Sequence, residues 1–74
     1  LKMELDKSGF VEITVYDVLG RQIRGLGKIW REIGPSTIQW DGKDNDGRNV
    51  SSGVYIFRAE STYLSASLPA MLLR

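Results

Sequence analysis

The densest group of side chains that could do chemistry lies in one acidic loop, where Asp41, Asp44, Asn45 and Asp46 fall close together. Carboxylate and amide oxygens are the ligands that a hard cation such as Ca²⁺ prefers. The spacing does not fit an EF-hand, because with Gly47 as its sixth residue both of the key carboxylate positions are glycines. Acids in such loops more often cap backbone N–H groups in turns. The sequence favours this capping role and leaves Asp41, Asp44 and Asp46 as weak calcium candidates.

Catalytic arrangements find little support in the sequence. Asp41 with Asp44 or Asp46 would be the pair for an acid–base glycosidase, but a Gly-rich loop offers no cleft to hold a substrate. The chain has no histidine and no cysteine, which removes the commonest general base, thiol nucleophiles and most zinc sites. None of the seven serines is followed by a lysine three residues later. We predict that the protein is not an enzyme and uses no cofactor.

The composition is that of one small domain. Its 74 residues are close to the size at which a single core only just outweighs chain entropy, and without cysteines packing alone must stabilise it. The net charge of +1 and the scattered Lys and Arg residues argue against a nucleic-acid partner. No apolar run is long enough to span a bilayer. Because the chain starts with leucine, we expect residues 1–74 to be the C-terminal module of a longer secreted precursor.

The first half of the chain is predicted to contain three strands. Residues 1–5 alternate apolar and charged side chains, and residues 10–16 place Val11, Ile13 and Val15 on one face. A hairpin turn follows over residues 17–20, with an Asp that can cap the turn and a Gly free to adopt positive φ. Residues 21–26 form the short returning strand. Residues 27–35 are predicted to be a short helical turn or an irregular crossover that ends at Gly34-Pro35.

The second half is predicted to contain three more strands around the acidic loop. Residues 36–41 carry Ile38 and Trp40 at alternate positions, and residues 42–52 form the loop. The next strand, residues 53–60, should point Tyr55, Phe57 and Ala59 inward, because the other face carries charges. The last strand runs over residues 63–74 with Pro69 at an edge or a bulge, and its apolar face consists of Ala66, Leu68, Ala70 and Leu72.

About six or seven short strands joined by Gly/Asp turns predict an all-β fold, a small antiparallel β-sandwich with Ig-like architecture. A five-stranded barrel is the alternative. Trp40, Tyr55 and Phe57 are expected to form the aromatic core. Trp30 lies beside Lys28 and Arg31, so it is either a surface platform or anchor, or a side chain that closes one end of the sandwich; the sequence favours the second role.

Four separate motifs resemble a known bacterial family. They are residues 16–21 (YDVLGR), 40–48 (WDGKDNDGR), 52–55 (SGVY) and 71–74 (MLLR). Together they are similar to the Ig-like C-terminal domains that sort proteins through the type IX secretion system, and to the related Ig-like domain of the flagellar hook-capping protein. The resemblance implies an Ig-like sandwich over nearly the whole chain.

The two relatives imply different roles. A sorting domain would be recognised by the outer-membrane secretion machinery and would follow an upstream cargo domain. It would place the protein on the cell surface or in the medium. The hook-capping relative implies a structural insert in a scaffold. From the residues alone, a third role is a structural or carbohydrate-contacting module of an extracellular enzyme. The terminal MLLR favours sorting.

The sequence also suggests a recognition surface, because an exposed edge strand can be captured by a partner strand. The predicted surface combines the acidic loop, the turn before the aromatic strand and the chain end: Lys43, Asp44, Asn45, Asp46, Arg48, Gly53, Val54, Tyr55, Met71, Leu72, Leu73 and Arg74. The oligomeric state cannot be predicted from these residues.

Overall fold

The protein folds into two antiparallel sheets, as shown by a computed structural model that describes residues 2–62 and 65–74. Within this part of the chain there are six strands and no helix. The strands are β1 Lys2–Leu5, β2 Gly9–Tyr16, β3 Gln22–Arg31, β4 Gly34–Thr37, β5 Gly53–Glu60 and β6 Ser65–Leu72. One sheet has the order β3-β2-β5-β6, and β1 pairs with β4 in the other. The predicted all-β Ig-like sandwich is confirmed.

The core lies between the two sheets and is built by strand alternation. Val11, Ile13 and Val15 of β2 are buried, and Tyr55, Phe57 and Ala59 of β5 lie beside them, as predicted. The second sheet contributes two β1 side chains and one residue that follows β4. The buried cluster consists of Met3, Leu5, Val11, Ile13, Val15, Ile38, Tyr55, Phe57 and Ala59.

The hairpin between β2 and β3 has the predicted turn chemistry. Asp17 Oδ1 accepts hydrogen bonds from the backbone N–H groups of Leu19 and Arg21, both at 2.9 Å, and Gly20 adopts φ +83°. The Arg21 guanidinium Nε lies 2.7 Å from Asp17 Oδ2. These contacts hold the pKa of Asp17 below its usual value, the backbone N–H of Arg21 being the largest cause.

Protonation of Asp17 is expected to weaken the fold at low pH. Its pKa is lower in the folded state than in the unfolded chain, so its stabilisation is present above the unfolded pKa and is lost as the pH falls through the folded pKa. The wild type should therefore lose its stability advantage over Asp17→Asn as the pH drops below about 4. Urea denaturation of both proteins from pH 6 to pH 2 measures this difference. An advantage that stays constant over the whole range would contradict the prediction.

The prediction for residues 27–35 was wrong, because β3 is longer than expected. β3 continues through Arg31, and Trp30 lies opposite Phe10 of β2. The register shifts between Ile13 and Thr14, where Leu26 is the extra residue and Gly27 adopts φ +81°. A glycine in this conformation bends a strand as a β-bulge without ending it. The interrupted alternation of side chains around Gly25 and Gly27 is therefore caused by a bulge within β3 and not by the end of the strand.

The strand around Trp40 also begins and ends earlier than predicted. β4 is Gly34–Thr37, so Gly34 and Pro35 already belong to the strand instead of ending a turn or crossover before it, and residues 38–40 follow β4 outside any strand. Pro35 lies opposite Glu4 in a two-stranded sheet, where a missing N–H is tolerated. Ile38 is nevertheless buried, because the chain turns it into the core after β4 ends.

The last strand lies at the edge of the four-stranded sheet, where Pro69 is tolerated as predicted. β6 pairs with β5 along its whole length, from Gly53 opposite Leu72 to Glu60 opposite Ser65. The predicted start of this strand at residues 63 and 64 lies outside the described residues. Its predicted apolar face is half-buried and consists of Ala66, Leu68, Ala70 and Leu72.

Candidate functional site

The acidic loop is anchored to the core through Trp40. The indole ring packs edge-on against Tyr55 and Phe57, with ring centroids 5.1 and 5.8 Å away. Its Nε1–H donates to the carbonyl of Lys43 at 2.9 Å, which fixes the chain three residues ahead. The predicted aromatic core is therefore present. It holds the start of the loop as well as joining the sheets.

Inside the loop, the acids cap backbone donors. Asp41 Oδ1 accepts from Lys43 N at 3.0 Å, and Asp44 Oδ1 accepts from Asp46 N at 2.9 Å and Arg48 N at 3.0 Å. Both acids thus make the turn contacts that the sequence favoured. In residues 2–62 and 65–74 no group of three or more acidic side chains is arranged to hold a metal ion.

Asn45 joins the loop to the outer edge of β3. Its backbone N–H donates to the carbonyl of Ile23 at 3.0 Å, and its Oδ1 accepts from the N–H of Gly25 at 2.9 Å. Arg24 lies between these two residues and donates to Asp41 Oδ1 and to the carbonyl of Lys43. The loop therefore satisfies part of an otherwise unpaired strand edge, which is one way in which proteins protect such edges.

Removing the Asn45 side chain is expected to expose this edge locally. Asn45→Ala keeps the bond to Ile23 but leaves the N–H of Gly25 without its acceptor, at a cost of about 0.5–1.5 kcal/mol. Hydrogen exchange should show faster exchange at Gly25 than in the wild type. Asn49→Ala is the matched control, since Asn49 is exposed and pairs with Lys43 through its backbone. Equal protection of Gly25 in both variants would contradict the role of Asn45.

Arg74 connects the end of the chain to the base of the loop. Its Nε donates to the carbonyl of Val50 at 2.6 Å, its Nη2 donates to the carbonyl of Gly42, and its backbone N–H donates to Ser52 Oγ at 3.0 Å. Gly42 is buried against this guanidinium and adopts φ +74°. Arg74, two residues after the end of β6, is thus an integral part of the loop structure.

The predicted recognition residues are not all available to a partner. Tyr55 is only 8% exposed and its hydroxyl donates to the carbonyl of Ser51 at 2.7 Å, so its place in that surface was wrong. Leu72 is half-buried, and the guanidinium of Arg74 is occupied by loop carbonyls. Seven of the remaining residues are exposed: Lys43, Asn45, Asp46, Arg48, Val54, Met71 and Leu73. That they bind a partner stays a prediction.

Trp30 does not close the sandwich, which corrects the favoured interpretation. It lies on the outer face of the four-stranded sheet, is 51% exposed, and packs edge-on against Phe10 at 5.1 Å between centroids. Sequence reasoning also missed the roles of Arg24 and Ser52, since each depends on partners about twenty residues away. No local pattern signals such contacts.

The family of the chain follows from a comparison with protein-family models. The model of the FlgD Ig-like domain matches residues 1–65. The chain belongs to this family. No curated protein and no solved structure matches the chain. FlgD Ig-like domains form a family of non-catalytic structural domains. This is consistent with the prediction that the protein is not an enzyme.

The match bears on the two relatives that the motifs resemble. It supports the flagellar hook-capping relative, whereas no comparison supports a type IX sorting domain. The matched region of the FlgD Ig-like domain contains β1 to β5 and the whole acidic loop, and it ends at the first residue of β6. None of the described elements is a helix that could cross a membrane.

Proposed function

We propose that this chain is a structural module of the flagellar hook-capping type, which stiffens and spaces a larger scaffold protein without doing chemistry itself. The observation that carries this proposal is the match of the FlgD Ig-like domain over residues 1–65. The module would act outside the cytoplasm, joined to other segments of its parent protein. Its partners would be protein surfaces of the assembly to which the scaffold belongs.

The hydrogen bonding of the loop supports a structural role. The polar side chains that looked most reactive in the sequence are used within the fold: Asp41 and Asp44 cap turns, and Asn45 covers a strand edge. Asp41 and Asp44 each already accept two hydrogen bonds from their own chain, so they are poorly placed to bind a substrate. Their contacts give a compact loop that holds its shape.

The segment around the end of β6 is where the two roles can be told apart. The guanidinium of Arg74 is bound to carbonyls at the base of the loop, although the residue as a whole is exposed. Met71 and Leu73 are the exposed apolar side chains of this segment, at 67% and 79% exposure. A sorting role would act through these two residues. Replacing both of them therefore distinguishes a sorting role from a structural role.

An export assay separates the two roles. A fluorescent cargo with this domain at its C-terminus is expressed in a bacterium with a working type IX system, next to a Met71→Ser/Leu73→Ser version. These changes leave the core and the Arg74 contacts in place, unlike a truncation of β6, which would expose β5. A structural module predicts cargo in the periplasm in both cases. Cargo in the medium that depends on Met71 and Leu73 would overturn the proposal in favour of sorting.

A further inference from the structure

An exposed aromatic pair lies beside a polar cleft on the outer face of the four-stranded sheet, away from the acidic loop. Phe10 of β2 and Trp30 of β3 lie opposite each other, with ring planes 78° apart, and Phe10 is 61% exposed. Phe10 forms one wall of a cleft of about 330 Å³ whose other lining residues are Glu12, Lys28, Glu60, Ser61 and Thr62. This volume is at the lower end of the range for small-molecule sites.

The aromatic pair is held in place by its surroundings. Trp30 Nε1–H donates to Glu32 Oε1 at 3.0 Å, and the other carboxylate oxygen of Glu32 accepts from Ser8 Oγ at 3.1 Å. The Ser8 hydroxyl in turn accepts from the N–H of Ile33 at 2.8 Å. Because Phe10 packs against this fixed indole, the Phe10 ring loses little conformational entropy when a ligand packs on it, which favours binding.

The polar wall of the cleft has little net charge. Glu12 lies directly opposite Lys28 in one ladder and opposite Glu60 in the other. Glu60 is paired with Arg58 at 2.7 Å, whereas among the ion pairs of the described residues none involves Glu12 or Lys28. Their carboxylate and ammonium groups therefore offer acceptors and donors to a ligand without excess charge of either sign.

From this juxtaposition we propose that the cleft binds an uncharged oligosaccharide. A pyranose ring has an apolar C–H face, which packs on the electron-rich face of an aromatic ring, and a rim of hydroxyl groups that need both donors and acceptors. Phe10 supplies the ring, while Glu12, Lys28 and Thr62 supply the polar groups. A protein partner fits less well, because charged residues are depleted at the centres of protein interfaces. The proposal does not depend on the hook-capping role.

The test is an NMR titration of the ¹⁵N-labelled chain with N-acetylchitotetraose and with cellotetraose, using an oligogalacturonate as the anionic control. Saturable shifts at the amides of residues 10–12, 28–30 and 60–62 are expected, with a Kd in the range of about 0.1–10 mM for a contact of one or two rings. Phe10→Ala should weaken binding by about tenfold or more, since it removes the stacking ring. Val54→Ala, an exposed apolar change elsewhere on the same face, should not change the Kd.

Several outcomes would overturn the saccharide site. They are the absence of localised amide shifts with either neutral sugar up to about 20 mM, undiminished binding by a folded Phe10→Ala variant, and tighter binding of the uronate. Protection of Phe10 and Trp30 by a protein component of the parent assembly, with no sugar binding, would assign the patch to a protein interface instead. Glu12→Gln provides a second test, because it keeps the shape of the side chain and should weaken the neutral sugars by removing a charged acceptor.

Discussion

Replacing Trp40 with alanine is expected to destabilise the domain strongly, whereas the same change at Trp30 should have only a small effect. Trp40 packs edge-on against two buried aromatic rings and its indole N–H holds the loop at Lys43. Removing a large core aromatic costs about 3–5 kcal/mol, and Trp40, which is half-buried against the core, should lie towards the lower end of this range. A domain of 74 residues has a total stability of about 4–11 kcal/mol. The loss at Trp40 would therefore remove a large share of that stability.

Trp30 is the matched control, since it is the same residue type at an exposed position on the outer face. Its alanine variant loses the contact with Phe10, which is worth about 0.5–1.5 kcal/mol. Urea denaturation followed by far-UV circular dichroism measures both variants without relying on tryptophan fluorescence. A Trp30 variant as destabilised as the Trp40 variant would show that the outer face stabilises the fold as much as the core does.

Gly42→Ala is expected to have the second-largest effect, because the added methyl group would collide with the Arg74 side chain. A Cβ at Gly42 would lie 2.6 Å from Arg74 Nη2 and 3.3 Å from Leu72 Cδ1. The guanidinium would have to leave the carbonyls of Gly42 and Val50, at about 1 kcal/mol for each hydrogen bond. The positive φ of +74° adds about 1–2 kcal/mol for any residue with a side chain. The sum is a loss of about 3–4 kcal/mol.

Two further variants separate the backbone strain from the collision. Gly47→Ala has a similar φ of +80° but open space around its Cβ, so it should cost only the strain of about 1–2 kcal/mol. Combining Gly42→Ala with Arg74→Ala should be less damaging than the sum of the single changes, because the second removes the group that the first would strike. Additive effects, or equal losses at Gly42 and Gly47, would contradict a close contact between Arg74 and the loop.

The parts of the fold that were predictable are those encoded by local alternation and turn chemistry. Val11, Ile13 and Val15 alternate with polar residues, so the inward face of β2 could be assigned with no knowledge of its partners. The same holds for β5, whose bounds agree with the prediction at both ends, and for the Asp17 turn.

The errors have a common physical cause, since they lie where tertiary contacts override the local pattern. Gly25 and Gly27 looked like the end of a strand, but a β-bulge carries β3 past them to Arg31. Ile38 alternates with Trp40 as a strand would, yet both side chains are placed by the core and not by a ladder.

The candidate site was predictable in composition but not in its contacts. The turn-capping role of Asp44 follows from residue type and spacing alone. The bonds from Arg74 to Gly42 and Val50 join residues more than twenty positions apart, so no local signal distinguishes Arg74 from a free terminal arginine. The same separation hid the pairing of Asn45 with Gly25.

The proposed structural role is tested most directly by deleting the segment that encodes this domain from its parent gene, in the bacterium that carries it. Electron microscopy then shows whether hooks assemble, and cell fractionation shows where the shortened parent protein accumulates. A structural module of the hook-capping type predicts exported parent protein with missing or irregular hooks, and the Trp40→Ala gene should give the same result while Trp30→Ala gives normal hooks. Normal hooks after the deletion, with the parent protein retained in the periplasm, would contradict the structural role.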